Sequence, residues 1–189
     1  VKQLKKESIF NMKRILFVID YQNDFVDGAL GFRGAELLDE GIADKVLSYG
    51  KDNVFYTLDT HDEGYLSSRE GRSLPVKHCV KGGDGWRVYG KTADALEKVS
   101  AVCIEKHSFG MDVSSSRVQK VLPDAVDEIE LVGLVSNICV LSNAVVLQAR
   151  YPQANIIVDA ALTGSFDESL NEKALDVLCG LQVEVTNRS

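Results

Sequence analysis

The chain has 189 residues, of which 45% are hydrophobic and 26% charged, with a formal net charge of -7. That length and balance fit a globular protein with a substantial core, and the acidic charge excludes a nucleic-acid binder built on a basic face. No apolar run approaches the roughly 18 residues of a membrane span, so no membrane partner is expected.

Residues 1–11, with Lys2, Lys5 and Lys6, precede Met12-Lys13-Arg14, which reads as a natural start. They are set apart as an N-terminal extension of unknown role without the apolar core of a signal peptide, and a single domain is expected over 12–189. The first strand is expected over Arg14 to Asp20. Leu38, Ile42 and Val46 then recur at helical spacing, with Gly50 as a stop. A second strand, Asn53 to Asp59, leads into the long irregular stretch Thr60 to Gly90; loops of that length are usually functional or mobile. Further strands are expected at Ala101 to Lys106 and Glu128 to Leu134. A largely buried helix follows from Asn137 to Arg150, ended by Tyr151-Pro152. A fifth strand covers Asn155 to Asp159. Ser165-Phe166-Asp167-Glu168 reads as a capping box opening a last helix that Gly180 ends, before a sixth strand at Gln182 to Thr186. This alternation predicts an α/β fold with a parallel sheet covered by helices, and most strands are continuous apolar runs, as in sheets buried on both faces. The four cysteines (Cys79, Cys103, Cys139, Cys179) form no CxxC pair, so free thiols in a reducing cytoplasm are expected.

Asp20, Lys106 and Cys139 each sit at or just past the end of a predicted strand. In a parallel sheet they converge at the carboxyl edge, where open α/β folds place their sites. Ser136 or Asn137 can cap the following helix and place Cys139 in its first turn, where the helix dipole favours a thiolate and N–H groups can hold an oxyanion. Taken alone, Cys139 fits a small buried hydrophobe equally well. Histidine, the usual base for a cysteine, occurs only at positions 61, 78 and 107. His107 adjoins Lys106 and would face the opposite side of its strand, which favours Asp20 as the base. Burial would raise its pKa towards general-base values. Lys106 can favour thiolate and hold Asp20, or be an ordinary solvated lysine.

Asp59 and His61, one residue apart at a strand end, face the same side in extended chain. With His78 they form a set suited to Zn, Fe or Mn, and Glu70, Glu63 or Asp62 could add a ligand.

Val18-Ile19-Asp20-Tyr21-Gln22-Asn23-Asp24-Phe25, the Asp59-x-His61 pair, Pro75-x-x-His78-Cys79-Val80, Glu105-Lys106, Gly133 to Val140, and Asp159-Ala160 with Glu168 and Ala174-Leu175 occur in order. Together they resemble the nicotinamidase / isochorismatase-like cysteine hydrolase family from about Met12 onward. The resemblance implies a Rossmann-like three-layer α/β/α sandwich with a mostly parallel six-stranded sheet, and a catalytic triad of Cys139, Asp20 and Lys106. It implies an acyl-thioester on Cys139 and an oxyanion hole from the backbone N–H groups of Val135 and Cys139, with a cis peptide at Leu134-Val135. It further implies a divalent metal on residues matching Asp59, His61 and His78, a substrate wall at Phe25, and a homo-oligomer; Zn is expected ahead of Fe or Mn, with Glu70 the first candidate among the further ligands available. Two features depart from the family pattern: Ser136-Asn137 replaces Thr-Asp, and Leu74 stands where an aromatic residue is common, one residue farther from His78 than usual. Trp86 or Phe109 could supply a stacking surface instead. The expected function is metal-assisted hydrolysis of a small amide, nicotinamide foremost. The alternatives are an N-carbamoyl amidase or ureidoacrylate hydrolase of the same fold, or a non-catalytic binding relative; vinyl-ether hydrolysis of isochorismate is disfavoured.

Overall fold

The apolar run Ile15-Leu16-Phe17-Val18-Ile19 is buried on both sides and forms the middle of a six-stranded sheet. The computed structural model describes residues 12–188, so the extension at 1–11 lies outside the described residues. The strands are β1 (Arg14–Ile19), β2 (Val54–Asp59), β3 (Val102–Lys106), β4 (Glu128–Leu134), β5 (Asn155–Gly164) and β6 (Glu184–Thr186). Their order is β3-β2-β1-β4-β5-β6, and every neighbouring pair is parallel. The helices are α1 (Asn23–Val26), α2 (Asp39–Tyr49), α3 (Arg69–Ser73), α4 (Gly90–Lys98), α5 (Ser116–Gln119), α6 (Leu141–Arg150) and α7 (Glu168–Gly180).

Alternation along β1 divides the core in two. Ile15, Phe17 and Ile19 pack with Val118 of α5, Ala144 and Leu147 of α6, and Leu175 and Leu178 of α7. Leu16 and Val18 pack with Ile42, Ala43 and Val46 of α2 and Ala95 and Leu96 of α4. Side chains on successive strand residues point to opposite faces, so a run apolar at every position needs helices on both. The result is the expected three-layer α/β/α sandwich. Among the described residues no helix is long and apolar enough to cross a membrane.

Several elements differ from their sequence outlines. β5 runs on to Gly164 because its pairing with β4 shifts register between Leu131 and Gly133, bringing Thr163 opposite Gly133. The Thr163 hydroxyl donates to the Gly133 carbonyl at 2.7 Å and fastens this extension. The last helix opens on Asp167, whose Oδ1 accepts from the Leu170 N–H at 3.0 Å, rather than on a box beginning at Ser165. The stretch Thr60 to Gly90 contains α3 and two short 3-10 turns, Tyr65–Ser67 and Asp84–Trp86. Helix α4, which the sequence did not announce, buries only Thr92, Ala95 and Leu96, too sparse an apolar stripe to stand out.

Gly133 fixes the spacing of the two central strands at their carboxyl ends. Its φ is 106°, and a Cβ there would run into the Ile19 carbonyl oxygen of β1. Both a left-handed backbone and a rigid neighbour oppose any side chain. Gly133→Ala should therefore cost about 3 kcal/mol or more. For a domain of this size that is a fall in Tm of roughly 6–12 °C. A thermal melt matching wild type would contradict this packing.

Candidate active site

The strand order reverses between β1 and β4, the place where open α/β sheets leave a crevice at their carboxyl edge. Asp20 follows β1, Asp59 ends β2, Lys106 ends β3, and Cys139 lies in the turn after β4. Cross-strand register sets Ile19 beside Gly133 and Asp59 beside Lys106, so these ends reach the same level. The three residues singled out from the sequence are brought together. The Lys106 ammonium is 2.7 Å from Asp20 Oδ2, 3.2 Å from Asp59 Oδ1 and 3.6 Å from Cys139 Sγ, and it also donates to the Ser108 carbonyl at 3.1 Å. Thr57 holds the other Asp20 oxygen: its hydroxyl donates to Oδ1 at 2.6 Å and accepts from the Asp20 N–H at 3.1 Å. Asp20 Oδ2 has the lysine as its ion-pair partner and no aligned hydrogen bond, which leaves it able to take a proton.

The Cys139 turn is built differently from the sequence expectation. The Leu134-Val135 peptide is cis. A wide π-helical turn, Ser136–Val140, then leads into α6, with the Val135 carbonyl accepting from the Ile138 and Val140 N–H groups at 3.2 and 3.1 Å. Neither Ser136 nor Asn137 caps a helix here. Ser136 Oγ and Asn137 Oδ1 have no hydrogen-bond partner among the described residues, and the residue flanking the turn is Val135, which has no such side chain to offer. A polar residue next to a helix start caps it only when the helix begins with an α turn at that point, and a π turn moves the N–H groups away. Asn143, one turn on, anchors the segment instead. Its amide donates to the Cys139 carbonyl at 2.8 Å and the Phe109 carbonyl at 3.1 Å, and its oxygen accepts from the Met111 N–H at 2.9 Å. The loop that follows Lys106 is thereby tied to the cysteine turn.

Burial governs the protonation of this centre. It raises the Asp20 pKa above the ordinary carboxylate value, against the pull of Lys106. It also pushes the Cys139 thiol well above its usual range, with Lys106 the main opposing influence. Desolvation, the largest influence on this thiol, thus opposes the thiolate that a helix start was expected to favour. Burial works against the Lys106 charge too, but Asp20, Cys139 and Asp59 outweigh it and hold the ammonium well above its ordinary pKa. A neutral thiol beside a carboxylate of raised pKa can exchange a proton and deliver a sulfur nucleophile.

Asp59 joins this centre to the second cluster. The ligand atoms of Asp59, His61, Glu70 and His78 all lie within 4.8 Å of one another. Asp59 Oδ2 is 2.9 Å from His61 Nε2 and 3.5 Å from His78 Nε2, while Glu70 Oε1 is 3.8 and 4.0 Å from the same two nitrogens. His78 Nδ1 lies 2.9 Å from the Val76 carbonyl, a contact that leaves Nε2 as the ligating nitrogen. Two imidazoles and two carboxylates could hold a divalent metal of the Zn, Fe or Mn type. Burial works against the Asp59 charge, but His61, His78 and Lys106 outweigh it and hold the carboxyl far below its ordinary range. Glu63 and Asp62 stay outside the set: Glu63 pairs with Lys77, and Asp62 accepts from the Gly64 N–H.

A cavity of about 310 Å3 opens onto both clusters. Phe25, Leu30, Gly31, Leu74, Phe109, Val135, Ile138 and Phe166 line it together with Asp59, Glu70, His78 and Cys139. Phe25 and Phe109 thus stand where the sequence expected a wall. Trp86 does not: it donates its ring N–H to Thr60 Oγ1 away from the cavity. His107 faces the Thr60 carbonyl and lines a separate depression, not the Cys139 cavity.

Sequence reasoning missed the residues that hold the site. Gln22 stands in for a strand: its side chain accepts from the Asp59 N–H at 2.8 Å and donates to the Asp59 carbonyl at 3.0 Å. Asp24 accepts from the Cys79 N–H at 2.7 Å and so fixes the residue after His78. Tyr65 packs against both imidazoles, with centroids 4.5 Å from His61 and 4.8 Å from His78. Gln22 and Asp24 lie inside the quoted motif, but their partners are distant in sequence, and Tyr65 sits in an irregular stretch with no periodic signal.

The family described as Isochorismatase domain matches residues 14–188. The chain belongs to the isochorismatase family. It is similar to a Bacillus subtilis (strain 168) protein described as an uncharacterized isochorismatase family protein, PncA, at 31% identity over 174 residues, 87% of this chain and 93% of the relative. Among solved structures it resembles the nicotinamidase/pyrazinamidase PncA from Bacillus subtilis, with a TM-score of 0.81 and 26% identity over 92% of this chain and 99% of that one. The pyrazinamidase/nicotinamidase of Streptococcus mutans UA159 gives 0.77 and 26% over 91% and 99%.

Among the described residues Thr57 is the one hydroxyl bonded to the Asp20 carboxylate, and that bond lowers the Asp20 pKa. Thr57→Val, of nearly equal volume, should raise it further and cost about 1–3 kcal/mol for the buried oxygen left without a partner. NMR titration of the Asp20 carboxyl carbon should show the midpoint at higher pH than in wild type; an unmoved midpoint would refute the contact.

Proposed function

We infer that nicotinamide is the amide this C–N hydrolase cleaves, giving nicotinate and ammonia through a Cys139 acyl-thioester. The observation that carries the reading is the lining of the cavity. Apolar walls surround Cys139 at one side and Asp59, Glu70 and His78 at the other, and among the described residues no Lys or Arg lines it. N-carbamoyl amino acids and ureidoacrylate bring a carboxylate, and burying one without a cation is costly. A divalent ion does not change this, because the Asp59 and Glu70 carboxylates balance its charge. A neutral aromatic amide with one ring nitrogen suits such a cavity better.

In this reading Asp20 Oδ2 takes the Cys139 proton as Sγ attacks the amide carbon. The Lys106 ammonium, in contact with both groups, offsets the negative charge that passes between them. The backbone N–H groups of Val135 and Cys139 receive the oxyanion. Asp20 returns the proton to the nitrogen as the C–N bond breaks and ammonia leaves. Water then attacks the thioester, with Asp20 accepting its proton; the C–S bond breaks and the thiol is restored. Asp59, His61, Glu70 and His78 would hold the metal, and a bound Lewis acid there supplies a site for the ring nitrogen. By its family resemblance the chain should also self-associate, which light scattering can read.

Ammonia release should be measured over nicotinamide, pyrazinamide, N-carbamoyl and ureido substrates, with metal content determined on the same preparation. Nicotinamide should rank at or near the top, Cys139→Ala should lose at least about 10³-fold in kcat/KM, and chelation should lower turnover reversibly. Preference for a carboxylate-bearing substrate, or full activity in Cys139→Ala, would overturn the reading. Asp20 must be ionised to act, so activity is present above its pKa and lost as pH falls through it. The acid limb of kcat/KM should lie above the value for an ordinary Asp, about 3.9.

A further inference from the structure

The two ends of the cavity differ in chemistry. Asp59, His78, Val135 and Cys139 at the deep end are all buried. Leu74, Phe109 and Phe166 at the mouth are 37%, 40% and 59% exposed. These three come from separate parts of the chain: the residue after α3, the loop after β3, and the segment before α7. A single exposed apolar side chain needs no explanation, whereas three gathered round the opening of one cavity mark a surface that meets a ligand. The cavity volume of about 310 Å3 reaches the range of drug-sized ligands, roughly 300–1,000 Å3, which a one-ring amide does not fill.

We propose that the mouth is an outer subsite for an apolar substituent, so that the preferred substrates are pyridine-3-carboxamides carrying an alkyl group at the 5-position. This rests on the amide reading above. The reacting carbon must sit against Cys139, with the ring nitrogen toward the Asp59 and His78 end; both places are deep. In a pyridine-3-carboxamide those two groups flank the 2-position. The 5-position, directly opposite, then faces Leu74, Phe109 and Phe166.

The test compares kcat/KM for nicotinamide, 5-methylnicotinamide and 5-propylnicotinamide on the metal-loaded enzyme. It adds calorimetric binding of the same three to the Cys139→Ala variant, which reads affinity without turnover. Burial of each methylene is worth about a fourfold gain. The propyl compound should therefore exceed nicotinamide by at least about tenfold in both measurements. Phe166→Ser should shrink that ratio at least about threefold, through loss of the apolar contact. Turnover of nicotinamide with no gain from the alkyl group, or a ratio unchanged in Phe166→Ser, would overturn the subsite and leave the amide reading intact. No turnover of any of the three would overturn both.

Discussion

A buried ammonium has to be neutralised, and among the described residues Lys106 is neutralised by the site itself. Its partners are the carboxylates of Asp20 and Asp59, the Ser108 carbonyl and the Cys139 sulfur. An isolated charge of this kind would be expelled or lose its proton. Three strand ends must therefore meet round it, and the order β3-β2-β1-β4 is what lets them. The fold and the chemistry share one electrostatic requirement.

Asp59 extends that requirement to the second cluster. One of its oxygens meets Lys106 and the other meets the two imidazoles, so the thiol centre and the ligand set are joined through a single carboxylate. Its backbone is held by Gln22, and its neighbours across the loop by Asp24 and Tyr65. Groups acting on one small substrate must keep fixed separations, and a shared carboxylate on a buried strand does this better than two independent loops.

Most of the architecture was legible in the sequence because buried parallel strands announce themselves as continuous apolar runs, and Asp20, Asp59 and Lys106 stand at their ends. The metal-type set was legible in part, since Asp59 and His61 lie on one short segment while Glu70 and His78 depend on how the following loop folds. The Cys139 turn is not legible in this way: Ser136-Asn137 has the composition of a cap, but a π turn takes its place. Phe166 carries only the local pattern of a capping box, and its position at the cavity mouth depends on the extension of β5 past Asp159. Such features arise from chain segments far apart in sequence, which no local pattern records.

The central claim is that the Lys106 charge makes Cys139 available for reaction. Its most direct measurement is the rate of Cys139 alkylation near neutral pH, followed by peptide mapping that separates it from Cys79, Cys103 and Cys179. Lys106 lowers the pKa values of both Cys139 and Asp20, so removing its charge should raise both. Lys106→Met should react at least about tenfold more slowly than wild type, and Lys106→Arg, which keeps the charge, should react faster than Lys106→Met. An alkylation rate in Lys106→Met equal to that of wild type would contradict the account.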